Sequence, residues 1–193
     1  VCMNLSDGSI RWTATAPSEQ DVKPFADVMV LHGYASSTPV ADETGVYVYY
    51  GSSGMIAYTH DGQERWRASC GTKIHNYGTA SSPIIYDDLV IIHADVESHA
   101  LVALDKRTGD ERWRLANDKG PAGRSTPIVA RGPGRDELIY GRLWGAVGGV
   151  DPRTGELLWH CDTHSNPING SPVTFDDVVV LTGSHSGKST AIR

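Results

Sequence analysis

The 193 residues carry 17 basic and 23 acidic side chains, and a formal charge of −6 argues against nucleic acid as the natural partner, because a polyanion is held by a basic stripe. Hydrophobic residues make up 39% and the 21 glycines raise the apolar share to about 50%, the content of a folded domain rather than a disordered chain. No apolar run approaches the roughly 20 residues that cross a bilayer, so no transmembrane segment is expected.

In chain order, Val1-Cys2-Met3 has neither an initiator methionine nor a basic and then apolar leader, and reads as a processed or truncated start. Asp7-Gly8 then leads to Trp12, four residues after the glycine. The same spacing returns at Gly62 to Trp66, Gly109 to Trp113 and Gly155 to Trp159. A second marker runs out of phase as Thr38-Pro39, Ser82-Pro83, Thr126-Pro127 and Ser171-Pro172, with prolines 44, 44 and 45 residues apart. The chain is a tandem array with a period in the forties.

Each proline opens a short apolar strand, where its missing N–H is tolerated. A polar turn and a second run follow, as in Ile84-Ile85-Tyr86, Asp87-Asp88, Leu89-Val90-Ile91-Ile92. These runs are β-branched or aromatic without strict alternation, the pattern of strands covered on both faces. A third run such as Leu101-Val102-Ala103-Leu104 precedes an Asp/Gly turn, and a fourth strand ends at or just after the tryptophan. Four antiparallel strands per unit and no helical periodicity predict an all-β protein, a β-propeller of about four blade equivalents forming a partial or self-completing ring. The tryptophans are expected to wedge between neighbouring blades.

The expected organisation is a single region over 1–193. Residues 1–14 form the outer strands of an incomplete first blade, 15–33 an insertion, and 34–193 three complete blades with an incomplete last one. The chain is then part of a longer propeller, half of a ring completed by a second copy or a sister chain, or a ring of four units closed on itself. Cys2, Cys70 and Cys161 are odd in number and form no CxxC, which excludes a zinc ribbon, a thioredoxin-type dithiol and a dense disulfide scaffold.

Ala103-Leu104-Asp105-Lys106-Arg107-Thr108-Gly109-Asp110-Glu111-Arg112-Trp113 and Val150-Asp151-Pro152-Arg153-Thr154-Gly155-Glu156-Leu157-Leu158-Trp159 resemble the tryptophan docking motif of PQQ-like propeller repeats. The resemblance covers nearly the whole chain, and extends to bacterial exported PQQ-like repeat proteins of unassigned activity. It implies a periplasmic or extracellular location. It also implies, for the quinoprotein members, a quinone clamped between a tryptophan and a disulfide of adjacent cysteines beside calcium. No two cysteines are adjacent here, so no cofactor is expected, and PQQ with calcium is not.

Loops between blades, and loops between strands two and three, should share one face near the channel mouth. That mapping gathers His32, Tyr34, His75, Asn76, Tyr77, Arg124, His164, Asn166 and Asn169 with His93, Asp95, Glu97, His99, Arg142, Trp144, His185 and Lys188. One reading is a polar pocket for a small anionic or carbohydrate-like ligand, with Arg124 and Arg142 as forked donors and Tyr34, Tyr77 or Trp144 as stacking surfaces. The competing reading is that these residues bond neighbouring loop backbones and hold blades in register. No short ligand spacing enforces a metal site, and no catalytic residue stands out: GxSxG, HExxH and a strand-to-helix phosphate loop are missing. The functional expectation is a non-catalytic binding or assembly scaffold with a protein partner or a second copy. The alternative is a quinoprotein-type or other enzyme whose site on the histidine-rich face borrows residues from other blades or a partner chain.

Overall fold

β-branched and aromatic side chains suit a pleated, half-buried surface, and the runs rich in them form the strands. The computed structural model describes residues 1–16, 36–75, 78–117, 123–132, 134–142, 145–163, 170–183 and 188–193. Most of the expected insertion at 15–33 lies outside them. The described chain is all-β apart from a 3-10 turn at Gly51–Ser53 and one helical turn, α1 (Asp95–Ser98).

A two-stranded sheet, β1 (Cys2–Met3) and β2 (Ile10–Trp12), comes first. Three four-stranded antiparallel sheets follow in simple meander order: β3 (Val40–Asp42), β4 (Gly45–Tyr49), β5 (Met55–Tyr58) and β6 (Glu64–Ala68); β7 (Ile84–Tyr86), β8 (Leu89–Ala94), β9 (Ala100–Asp105) and β10 (Glu111–Ala116); β11 (Ile128–Arg131), β12 (Asp136–Gly141), β13 (Ala146–Val150) and β14 (Leu157–Asp162). A three-stranded sheet of β15 (Val173–Phe175), β16 (Val178–Thr182) and β17 (Ser189–Ile192) comes last. The fourth strands β6, β10 and β14 run past their tryptophan, further than the sequence reading placed them. The extra residues find partners at the start of the third strand, as Ala116 does opposite Ala100 and Asp162 opposite Ala146.

The hydrophobic cores lie between sheets. Tyr47, Tyr49, Met55 and Trp66 pack against Val90, Ile92, Val102 and Leu104 of the following sheet. Ile91, one residue out of phase, faces the other way and packs with Tyr86, Leu101 and Trp113 against Leu138, Tyr140 and Val150. Ile139 and Val147, with Trp159 beside them, meet Val179, Leu181 and Ile192. Successive residues of β8 therefore serve two different cores, so the whole strand is buried and its sequence shows no alternation.

Two devices set the sheets in register. The turns after β9 and β13 are built by aspartate: Asp105 Oδ1 accepts from the N–H groups of Arg107 and Thr108, at 2.8 and 3.1 Å, and Asp151 does the same for Arg153 and Thr154. The glycine closing the turn takes a left-handed φ, +81° at Gly109 and +75° at Gly155, which frees its α-carbon face for an indole. Trp66 lies on Gly109, Trp113 on Gly155 and Trp12 on Gly62, and a β-carbon at any of these glycines would stand 2.6 to 2.7 Å from the ring. Each Nε1–H then donates to a carbonyl of that turn: His60 at 3.0 Å, Lys106 at 3.1 Å and Pro152 at 3.1 Å.

The second device is a relay of hydroxyls just before the prolines. Thr38 N–H donates to Ser82 Oγ at 2.9 Å, Ser82 N–H to Thr126 Oγ1 at 2.9 Å, and Thr126 N–H to Ser171 Oγ at 3.2 Å. The Ser/Thr-Pro marker thus ties each unit to the next as well as starting a strand.

Candidate binding rim

The loops joining strands two and three meet the segments that pass from sheet to sheet along one edge of the molecule. Asp95, between β8 and β9, accepts from Asn117 Nδ2 at 3.0 and 3.1 Å, one bond to each carboxylate oxygen, and from the Gly123 N–H, both in the segment between β10 and β11. The main-chain oxygen of Glu97 accepts from Lys73 N–H at 3.1 Å, from the segment between β6 and β7.

Between β8 and β9, residues 95–98 wind into α1, and His93, Asp95, Val96 and Glu97 are all buried. The turn ends at His99, whose left-handed φ of +52° lets its N–H return to the Asp95 carbonyl at 3.0 Å. His93 Nδ1 lies 3.1 Å from the Ser125 carbonyl, an atom that only accepts, so Nδ1 carries the proton. Burial pushes the His93 pKa below its ordinary value against the pull of Asp95, which leaves the ring neutral, with Nε2 3.6 Å from Asp95 Oδ2. Ser125 Oγ donates to the Gly141 carbonyl at 2.9 Å and accepts from the Gly141 N–H, extending the brace to β12.

Glu97 lies on the other side of α1, against the preceding sheet. Burial raises its pKa from 4.5 to about 7, offset in part by the Tyr49 hydroxyl and Thr79. Gly51 leaves room for it: a β-carbon there would stand 3.1 Å from Glu97 Oε1 and 3.0 Å from the Thr79 methyl. Cys70 shares this pocket of the core, and burial pushes its thiol up to about 12.

Of the sequence-predicted residues, the structure brings His75 and Arg124 together from different sheet connections, with Arg124 Nη2 donating to His75 Nδ1 at 2.7 Å. Burial and the Arg124 charge hold the His75 pKa below its usual value, so the imidazole stays an acceptor. Arg142 sits on the same edge after β12, and its charge adds to the depression of His93. His32, Tyr34, Asn76, Tyr77, Trp144, His164 and Asn166 lie outside the described residues. Sequence reading missed Asp95 as the hub of the edge; its one signal was an acid set two residues after one histidine and four before another.

Among the described residues, no three His, Cys, Asp or Glu side chains converge to hold a metal ion. The disulfide of adjacent cysteines that the quinoprotein resemblance implies is not formed by these residues. Cys2, Cys70 and Cys161 are free thiols on three different sheets or their connections, and the one sealed in a core has no cysteine beside it.

A family model described as outer membrane protein assembly factor BamB matches residues 1–193. The chain belongs to this family. BamB from Moraxella catarrhalis superposes with a TM-score of 0.65 at 20% identity, over 81% of this chain and 46% of that one, so the chain spans about half the length of that relative. The computationally designed Ika4 protein gives a TM-score of 0.57 at 18% identity, over 81% of this chain and 91% of that one. Quinohemoprotein alcohol dehydrogenase from Comamonas testosteroni gives 0.51 at 22% identity, over 66% and 21%. These likenesses show the propeller-type fold of the BamB family. No curated protein matches the sequence. None of the helical segments among the described residues of this BamB-family chain is long and apolar enough to cross a membrane.

Proposed function

We propose that this chain is a non-catalytic binding or assembly scaffold of the BamB type that works in an exported compartment, periplasmic or extracellular. The observation that carries the reading is the use of the polar groups on the loop edge. Asp95, His93 and Ser125 brace one connection against the strands of two sheets, and Arg124 reaches across to His75. Ionisable groups held this way fix the shape of a surface, which is what recognition of a folded partner requires. Arg124, Arg142 and Lys73 gather positive charge on this edge of a chain whose net charge is −6, so a partner presenting carboxylates, or a small anionic or carbohydrate-like ligand, fits it best.

The test is retention on the immobilised chain of purified outer-membrane and periplasmic proteins, compared with a His75→Ala/Arg124→Ala double variant of unchanged melting temperature. The expected result is a stoichiometric partner held by the wild type and weakened about tenfold or more by the variant. Alcohol oxidation that depends on added PQQ and calcium, and is lost in the same variant, would overturn the reading.

A further inference from the structure

Between the first two complete sheets the chain crosses the rim through residues 71–75. Thr72, Lys73, Ile74 and His75 are all exposed, and Ile74 turns 53% of its surface to solvent, so no apolar side chain anchors the stretch. Its main tie is to Glu97. The Glu97 carbonyl accepts from Lys73 N–H at 3.1 Å, and Gly71, at a φ of +135°, lies so close to that carbonyl and to Ser98 Cβ that no side chain would fit there. Arg124 Nη2 ties the far end by donating to His75 Nδ1 at 2.7 Å.

The side chain of the same residue is sealed. Glu97 is 3% exposed, and among the described residues neither its Oε2 nor the Tyr49 hydroxyl has a hydrogen-bond partner. A neutral carboxyl tolerates such a place far better than a carboxylate does. No cation bonds it among the described residues. Burial pushes the Tyr49 hydroxyl of β4 well above its ordinary value and the Cys70 thiol up to about 12, so both are neutral, and Asp95 on α1 adds a negative charge. Arg114 on β10 is bonded to Glu111 at 2.7 Å and to Ser98 Oγ at 3.0 Å. The imidazoles of His93 and His99 turn to Asp95, at 3.6 and 3.8 Å.

We propose that residues 71–75 are a lid on Glu97 that gain of a proton closes and loss of it opens. With the carboxyl neutral, the Lys73 bond and the Arg124–His75 contact hold the rim in one shape. With the carboxyl ionised, water has to reach it, and the exposed stretch is the part that yields, because α1 is tied on its other side through Asp95 to Asn117 and Gly123. This rests on the rim as the recognition surface and gives that surface its control, since Lys73 and His75 are placed by the closed lid. The signs can be worked out. Glu97 has its pKa raised from 4.5 to about 7, so opening grows about tenfold per pH unit between those values and is level above them. His75 pulls the other way: burial and Arg124 lower its pKa from 6.5 in the closed lid, which favours opening as pH falls below 6.5. Comparison with Glu97→Gln removes that second effect, because His75 is present in both chains.

The test is amide exchange of the 193-residue chain, read residue by residue by NMR. The Lys73 amide should exchange about a hundredfold or more faster than the amides of β9, through opening of the lid alone. The ratio of its exchange in the wild type to that in Glu97→Gln should rise roughly thirtyfold from about pH 5 to about pH 7. The Glu97 carboxyl carbon of the wild type should keep the shift of the protonated acid at about pH 5.5. A flat ratio, a Lys73 amide that exchanges no faster than β9, or a carboxyl that ionises in the ordinary glutamate range would each overturn the lid. The last two are read in the wild type, so they decide the matter even if Glu97→Gln does not fold. No partner enters these measurements, so the lid and the partner-retention experiment above fail separately.

Discussion

Glu97 is a carboxyl enclosed by Tyr49, Thr79 and Gly51, and its pKa near 7 has a sign that can be worked out. The folded state holds this proton to higher pH than the unfolded chain does. The contribution of Glu97 to stability is therefore complete below about pH 4.5, falls as pH rises towards 7, and is constant above that. The shift corresponds to roughly 3 kcal/mol. Glu97→Gln should leave the melting temperature unchanged near pH 4.5 and raise it at pH 8, as scanning calorimetry at the two pH values will show. Asp95 is held by three hydrogen bonds, two from Asn117 Nδ2 and one from the Gly123 N–H. Asp95→Ala leaves Asn117 and the Gly123 N–H without their acceptor and should cost about 3 kcal/mol in denaturant unfolding. Neither effect was legible in the sequence. The residues themselves were placed on the right connections by repeat counting, but Asp95 is enclosed by contacts with Asn117 and Gly123, residues beyond the next strand, and no local pattern encodes that cover.

At the scale of elements, the Gly-to-Trp spacing was legible because it recurs four times, and the structure shows what three of the glycines do: Gly62, Gly109 and Gly155 each seat the tryptophan of the preceding sheet. Gly109→Ala should destabilise by about 3 kcal/mol or more, since it adds a left-handed non-glycine residue and drives a methyl into the Trp66 ring. Gly8→Ala meets only the first of these costs, about 1 kcal/mol. The difference between the two is measured by urea titration. Trp113→Ala should likewise cost about 4 kcal/mol, because that indole is almost wholly buried between sheets. The Ser/Thr before each proline was read only as a phase marker. Its hydroxyl bonds a residue 44 or 45 positions earlier, a distance at which no sequence pattern announces a partner.

Across the whole molecule, every core is shared by two sheets, so no sheet buries its apolar faces alone. Stability should therefore fall from the middle outwards, as in other arrays of nearest-neighbour units. Amide exchange should be slowest in β8 and β9, which are covered on both sides, and fastest in β1, β2 and β15. Uniform protection across all sheets would contradict this gradient. The propeller-type fold was readable from period and composition because one short grammar is repeated. The rim chemistry was readable only as a set of addresses, since His75, His93 and Asp95 act through atoms that the sequence leaves 22 to 49 residues away.

The hydroxyl relay has a consequence for how such chains change length. A unit's serine or threonine serves the unit before it, and its own N–H is served by the unit after it. Excising or duplicating a whole unit therefore rejoins a donor to an equivalent acceptor at the splice. Growth and loss by complete modules leave this bond intact, whereas an insertion of any other length has to be looped out between modules.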